Sequence, residues 1–298
     1  MSNTNEITNG IPVTGHTQLT CLLGSPVAHS ISPLMHNESF RLLGLDYIYL
    51  CFDVNEDNLD RAVDGLRLMN VKGFNCTMPV KNRMAQISDE LSPAAKMIGA
   101  VNTVLNDNGK LIGHNTDGIG YMQSVKDAGH DIIGKKMTLM GAGGAASSIF
   151  VQAALDGVKE ISLFSLRDQF WERAEMMVDM VNANTDCTAT LYEFGDDDLL
   201  YNEIETSDIL TNGTSFGMAP NVDRCLIKDQ HVLRKDLIVS DIIYNPMETK
   251  LLKMAREQGC ATFNGMYMLL YQGAEAFKIW TGQDMPIPHI KEKYFSGK

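Results

Sequence analysis

The sequence predicts an α/β protein with a parallel sheet flanked by helices, and three observations carry that expectation. From Asp117 onward, short β-branched and apolar runs alternate with stretches of helical spacing. Repeated strand–helix units of this kind build a parallel sheet covered on both faces. A glycine-rich turn, Gly141-Ala142-Gly143-Gly144-Ala145-Ala146, falls between one such strand and one such helix. The chain has 298 residues, enough for two domains of ordinary size.

The elements follow in order. Tyr47–Asp53 is rich in aromatic and β-branched residues and reads as a strand. Residues 59–69 carry apolar side chains at Leu59, Ala62, Val63, Leu66 and Met69, which is the spacing of a helix packed by one face. Residues 72–77 form a further strand, which should stop before Pro79 because proline cannot donate to a sheet ladder. Residues 101–105 and 110–113 flank Asn106-Asp107-Asn108-Gly109, a hairpin turn. Beyond Asp117, strands are expected at 137–140, 160–165, 189–192, 208–211, 237–241 and 260–263. Helices are expected at 145–156, 169–183 and 249–258, with a last long one at 266–280.

Composition excludes several function classes. The formal net charge of −12 leaves no broad basic footprint for nucleic acid. No apolar run approaches the roughly 20 residues needed to span a bilayer, and the polar first 20 residues lack a signal core. The expected location is therefore cytoplasmic, and residues 1–12 read as a loose tail. The six cysteines are scattered without C-x-x-C spacing. They read as reduced thiols packed as small hydrophobes, and no metal cluster is expected.

The turn after the strand at 137–140 has the context that a dinucleotide fingerprint requires. Gly141 makes the tight turn, Gly143 lets the backbone approach a pyrophosphate, and the small Ala146 permits close packing of helix on strand. The helix start at Gly144 and Ala145 then offers backbone N–H groups to phosphate. The choice of cofactor is read at the end of the next strand, Phe164-Ser165-Leu166-Arg167-Asp168. Arg167 would favour the extra phosphate of NADP and Asp168 the ribose diol of NAD, so both remain open on these residues; Asp168 is also a candidate N-cap for the following helix. Lys81, just past a strand end, and Asp117, at a helix start, are a lysine and a carboxylate able to exchange a proton with a hydroxyl. Thr77, Asn102 and Asn115 keep them company. Ser30 and Ser32 alternate around Ile31, which in an extended chain points both hydroxyls to one side, although helix capping accounts for the spacing equally well.

The chain resembles the shikimate dehydrogenase family, and within it the quinate/shikimate dehydrogenase branch. The stretches that carry the resemblance are Gly24-Ser-Pro-Val-Ala-His-Ser-Ile-Ser-Pro33, Asn75-Cys-Thr-Met-Pro-Val-Lys81, Gly99-Ala-Val-Asn-Thr103, Asn115-Thr-Asp-Gly118, Gly141-Ala-Gly-Gly-Ala145, Thr211-Asn-Gly-Thr214, Asp241-Ile-Ile-Tyr-Asn-Pro246 and Gly265-Met-Tyr-Met-Leu-Leu-Tyr-Gln-Gly-Ala-Glu275. They span essentially the whole chain beyond the tail. The resemblance implies a substrate domain built from both chain ends, 1–116 plus 265–298, with a Rossmann-type dinucleotide-binding domain, 117–264, inserted between them. It implies that Ser30, Ser32, Thr77, Asn102, Tyr244 and Gln272 contact the substrate, that Lys81 and Asp117 are the catalytic pair, and that Ile242 and Gly265 line the nicotinamide.

One departure bears on the cofactor. NADP-preferring members carry Asn-Arg-Thr where this chain has Ser165-Leu166-Arg167, and Asp168 followed by Phe170 resembles the branch that accepts NAD. The expectation is NAD first and NADP weakly. The implied activity is reversible oxidation of shikimate to 3-dehydroshikimate, and of quinate to 3-dehydroquinate, in aromatic amino-acid biosynthesis or quinate use. Neither nucleic acid nor membrane is an expected partner, and a homodimer is compatible with the sequence. The alternatives are an NADP-linked biosynthetic shikimate dehydrogenase and a cofactor-binding regulator without turnover. Intact Lys81 and Asp117 argue against the regulator.

Overall fold

The computed structural model describes residues 13–296, so the expected tail at 1–12 lies outside the described residues. The chain divides into two compact units, one made of the chain up to Thr116 and from Gln272 onward, the other of Asp117–Tyr271. Among the described residues no helix is long and apolar enough to cross a membrane.

The first unit runs β1 (Gln18–Gly24), α1 (Ser32–Leu43), β2 (Tyr47–Asp53), α2 (Glu56–Leu68), β3 (Gly73–Cys76), α3 (Lys81–Ile87), β4 (Glu90–Leu91), α4 (Pro93–Ile98), β5 (Thr103–Asp107) and β6 (Lys110–His114). Its sheet has the order β2-β1-β3-β5-β6-β4. β5 runs antiparallel to both β3 and β6, through the expected hairpin. Strand side chains alternate between faces, and each face has its own core. On one, Cys21, Leu23, Phe74 and Val104 pack with Leu59, Val63 and Leu66 of α2 and Met84 of α3. On the other, Tyr49 of β2 meets an aromatic cluster of His36, Phe40, Phe277 and Trp280. At the outer strand, the Asn37 carboxamide of α1 accepts from the Tyr49 N–H (2.8 Å) and donates to the Tyr49 carbonyl (3.0 Å).

The second unit runs α5 (Asp117–Asp127), β7 (Lys136–Met140), α6 (Gly144–Asp156), β8 (Glu160–Ser165), α7 (Trp171–Asn184), β9 (Thr188–Glu193), α8 (Asp197–Glu205), β10 (Ile209–Asn212), β11 (Ile238–Asp241), α9 (Lys250–Glu257) and β12 (Ala261–Phe263). The helix α10 (Met266–Thr281) follows, its later part belonging to the first unit, where α11 (Ile287–Ile290) also lies. All six strands are parallel, in the order β12-β11-β10-β7-β8-β9. The order reverses between β7 and β10, and the strand ends at such a switch point are where open α/β sheets bind ligands. The parallel sheet with helices that the sequence predicts is thus present, within a mixed α/β architecture of two sheets.

Several elements escape the sequence reading, among them β1, α3, α4 and α8. β1 is buried through its last five residues, Thr20 included, without the alternation that marks a half-buried strand. α3 and α4 span seven and six residues, too few for a periodicity. α8 is nine residues long and buries Leu200 and Ile204. The helix expected from 169 begins at Trp171, and its N-cap is Phe170 without a side-chain bond. Asp168 instead accepts from the Phe170 N–H (2.8 Å), a turn ahead of the helix rather than the expected cap.

Two titratable groups of the first unit sit in opposite surroundings. Glu38 is buried, and its carboxylate accepts from Arg41, His289 and Lys293 at 2.8–2.9 Å, tying α11 and the turn after it to α1. The Arg41 hydrogen bonds, with help from those of Lys293 and His289, pull its pKa down to about 2. His36 has both ring nitrogens buried without a hydrogen-bond partner, and burial pushes its pKa from 6.5 to about 3. The folded state therefore holds His36 neutral, while the unfolded chain protonates it below 6.5. Its contribution is present above pH 6.5 and lost as pH falls toward 3. We expect His36→Phe to flatten the fall of the melting temperature between pH 6.5 and 4.5 relative to wild type, measured by calorimetry. An unchanged slope would mean that His36 is not the source of acid sensitivity in that window.

Candidate active site

The first unit gathers its polar residues at one end of its sheet. Thr77 directly follows β3, and its N–H donates to the Leu23 carbonyl at the end of β1 (2.9 Å). A Cβ on Gly24 would overlap the Thr77 side chain, so these two strand ends touch only because Gly24 has none. Asn102 immediately precedes β5, and its carbonyl accepts from the Cys76 N–H (2.8 Å). Lys81 is the first residue of α3, and its carbonyl accepts from the Val101 N–H (3.0 Å). Helix starts lack intrahelical partners for their first N–H groups, and α3 has no side-chain cap at Val80.

Ser30 and Ser32 stand beside this set, but not as alternation in an extended chain places them. Ile31 has helical dihedrals, α1 starts at Ser32, and the Ser30 hydroxyl accepts from the Ser32 N–H (3.2 Å). Each hydroxyl also lies beside β2, Ser30 by the Cys51 thiol and Ser32 by the Tyr49 phenol. Tyr49 Oη donates to Asn75 Oδ1 (2.8 Å), and Asn75 Nδ2 donates to the Asn102 carbonyl and to Thr103 Oγ1. Asn102 closes the network. Its Oδ1 accepts from the Thr116 N–H (2.8 Å) and its Nδ2 donates to Thr116 Oγ1 (3.0 Å), which leaves it 2% exposed. Asn115 donates to the Ala100 carbonyl (3.1 Å). Gln272 lies on α10 next to Gly273, where a Cβ would overlap Met35 of α1.

The second unit places its predicted residues after β7, β8, β11 and β12 and at the start of α5. The turn after β7 and the turn after β10 meet backbone to backbone. A Cβ on Gly141, whose φ is +105°, would stand 2.8 Å from Thr214 Cγ2 and 3.1 Å from the Gly213 carbonyl carbon, and a Cβ on Gly213 would stand 2.7 Å from Ala146 Cβ. Gly143 and Gly144 differ. Gly143 caps α6 with ordinary dihedrals (φ −68°), no side chain caps the helix, and a Cβ at either position would meet nothing within 4 Å. Neither packing nor strain requires glycine there. Room for the close approach of a phosphate to Gly143, Gly144 and Ala145 does, so the residues fit a dinucleotide.

Ile242 follows β11, and Gly265 packs so tightly under it that a Cβ would overlap the Ile242 carbonyl. Asp241 supports this turn. Its buried carboxylate accepts from the Ile243 N–H, Asn212 Nδ2 and Thr249 Oγ1 (2.7–3.0 Å), while burial pushes its pKa up to about 6. Tyr244 is exposed in the same segment. Asp117 opens α5. At the end of β8, Arg167 donates to the Glu193 carboxylate (3.1 Å) and lies 4.6 Å over the Trp171 ring. Asp168 and Phe170 form the turn that leads into α7.

Residues 22–104 match the shikimate dehydrogenase substrate binding domain, and residues 265–293 match the shikimate 5'-dehydrogenase C-terminal domain. A shikimate dehydrogenase (NADP(+)) of Listeria monocytogenes serotype 4b (strain F2365) is 53% identical over 292 residues, 98% of this chain and 100% of that protein. The chain belongs to the shikimate dehydrogenase family. The crystal structure of shikimate 5-dehydrogenase from Listeria monocytogenes, in complex with shikimate and NAD, superposes with a TM-score of 0.91 at 54% identity, covering 94% of this chain and 97% of that one. Quinate dehydrogenase from Corynebacterium glutamicum, in complex with NAD, superposes with a TM-score of 0.83 at 27% identity, covering 94% and 99%.

Within this family member, the residues that sequence reasoning missed are those that hold the site rather than face it. Tyr49, Asn75 and Glu193 have no short-range signature, because their partners are distant in sequence, and Asp241 joins the near Ile243 and Thr249 to the distant Asn212. We expect Gly143→Ala to fold with wild-type stability in the absence of nucleotide, because its methyl has open space, and to weaken dinucleotide binding at least about tenfold by crowding the pyrophosphate. Calorimetric titration of folded protein checks this. Unimpaired binding would show that the dinucleotide lies elsewhere.

Proposed function

We propose that this chain is a shikimate dehydrogenase that reversibly oxidises the ring hydroxyl of shikimate to the ketone of 3-dehydroshikimate. The observation that supports this best is the polar set Ser30, Ser32, Thr77, Lys81 and Asn102 at one sheet end of a chain 53% identical to a named shikimate dehydrogenase. In this reading the unit with both chain ends recognises the substrate and Asp117–Tyr271 holds the dinucleotide. Ser30, Ser32 and Thr77 hydrogen-bond the carboxylate and hydroxyls, joined by Asn102, Gln272 and Tyr244. Lys81 accepts the proton of the reacting hydroxyl, and Asp117 is its carboxylate partner. Such general acid–base assistance contributes roughly 10²- to 10⁴-fold. The bound nicotinamide supplies the hydride acceptor.

For the cofactor, the names of the curated relatives support NADP, and this takes precedence over the expectation of NAD first. Arg167 is then the cation for the extra phosphate. A second reading, NAD, is favoured by Asp168 at the strand end and by the Listeria complex with NAD. Glu193 bears on how far Arg167 can serve, since its carboxylate accepts from the Arg167 Nε–H. The pair is more than half exposed and worth at most about 1 kcal/mol, so a phosphate can compete for Arg167. Use of quinate rests on a structure only 27% identical and is the finer part of the proposal.

Initial rates with shikimate and quinate, each paired with NAD and NADP, test the reading. Turnover of shikimate is expected with at least one cofactor, and Lys81→Ala should abolish it while dinucleotide binding persists. Near-normal turnover by that variant would overturn the proton-transfer role. Glu193→Gln should lower the KM for NADP several-fold and leave the KM for NAD unchanged. Equal changes for both cofactors would remove Arg167 from phosphate recognition.

A further inference from the structure

The helix that presents Asp117 is anchored by a buried triangle of hydroxyls. Tyr121 lies one turn along α5 from Asp117 and is 2% exposed. Its phenol shares a hydrogen bond with Thr211 Oγ1 of β10 (2.6 Å) and with Ser240 Oγ of β11 (2.9 Å), and Ser240 Oγ donates to Thr211 Oγ1 (2.9 Å). Thr211 and Ser240 each stand one residue before a strand-end side chain of the switch point. Those side chains, Asn212 and Asp241, are themselves bonded at 3.0 Å and lead into Gly213-Thr214 and Ile242. A second restraint acts on the same turn of α5. A Cβ on Gly118 would overlap the Ser148 carbonyl oxygen, so α5 lies directly against the backbone of α6, the helix that starts at Gly144. Residues four apart share one helix face, so any roll of α5 that moves the Tyr121 ring also moves Asp117.

We infer that Tyr121 is a positioning residue, whose hydroxyl, locked between β10 and β11, sets the rotation of α5 and with it the place of the Asp117 carboxylate relative to the cofactor-lining turns of the same unit. The inference rests on the proposed function, in which Asp117 takes part in proton transfer. A phenylalanine ring would fill the same space but could not hold the strand hydroxyls. Thr211 and Ser240 would remain bonded to each other, so little buried polar surface would be orphaned. What is lost is the fixed distance between helix and strand ends. A displacement of a reacting group by a fraction of an ångström costs rate rather than binding.

The test compares full-length wild type, Tyr121→Phe, Thr211→Val, the double variant and Ser207→Ala. Ser207 belongs to another buried hydroxyl pair of this unit, Thr138 Oγ1 to Ser207 Oγ at 2.8 Å, which makes no bond to α5. For each protein, kcat, the KM for shikimate, the dinucleotide Kd and the melting temperature are measured. Tyr121→Phe is expected to lower kcat about tenfold with KM and Kd unchanged. Thr211→Val, which leaves the phenol its bond to Ser240, should lower kcat by less, and the double variant should be no worse than Tyr121→Phe, since both act on one anchor. Ser207→Ala should lower the melting temperature and leave kcat within about twofold of wild type, as its lost hydrogen bond bears on stability alone. Should Tyr121→Phe fail to fold, Thr211→Val, which cuts the anchor from the strand side, carries the comparison. Wild-type kcat in Tyr121→Phe, or an equal loss in Ser207→Ala, overturns the inference while leaving the functional reading intact. Wild-type silence with shikimate overturns both.

Discussion

The strand ends of both units depend on backbone meeting backbone with no side chain in between. In the second unit, the turns after β7 and β10 come within van der Waals reach because Gly141 and Gly213 carry no Cβ, and Gly213 lies against Ala146. In the first unit, Gly24 lets the end of β1 lie against Thr77. A methyl at any of these points would push two loops apart by an ångström or more, and a site assembled from several loops loses its geometry when one is displaced. The pair Gly143 and Gly144 obeys a different rule, since a Cβ at either would stand in open space and neither is held to glycine by packing.

Around these contacts, buried amides and hydroxyls fix what the backbone brings together. Asn75 and Asn102 spend their carboxamides on Tyr49, Thr103 and Thr116, so strands β2, β3 and β5 and the chain leading to Asp117 are bonded into one framework. Each bond adds about 1 kcal/mol net, but losing one partner strands the other in a dry interior at greater cost. The framework is therefore held as a unit. The Asp241 carboxylate plays the same part in the other unit, collecting three donors under the Ile242 turn despite the burial that raises its pKa.

Much of this was legible in the sequence where a local rule applies. The glycine turn between strand and helix, the hairpin at Asn106–Gly109 and the helix start at Asp117 each follow from a few adjacent residues. Reading failed where tertiary contacts choose among local options. Ser30-Ile31-Ser32 was compatible with an extended segment or a helix entrance, and the bond from the Ser32 N–H to the Ser30 hydroxyl belongs to the latter. Asp168 had the right chemistry for a cap, but the chain turns through Phe170 before α7 starts. Cofactor preference was read from Leu166, Arg167 and Asp168 alone. Glu193, which engages Arg167 from the neighbouring strand, could not enter that reading, and the names of the relatives favour the other cofactor. Tyr121 is an apolar helix position by spacing, and nothing nearby in sequence announces the two hydroxyls it reaches.

The Asn37 carboxamide bears on how this molecule meets its neighbours in a crowded solution. β2 is the outermost strand of its sheet, seven residues long with no charge before Asp53. An open strand of that kind is an invitation to sheet growth. Asn37 presents to Tyr49 a C=O and an N–H in the arrangement of a peptide, so the middle of the margin is already occupied. A foreign strand approaching there finds a plug rather than a template. One amide side chain thus closes the middle of this margin to another strand.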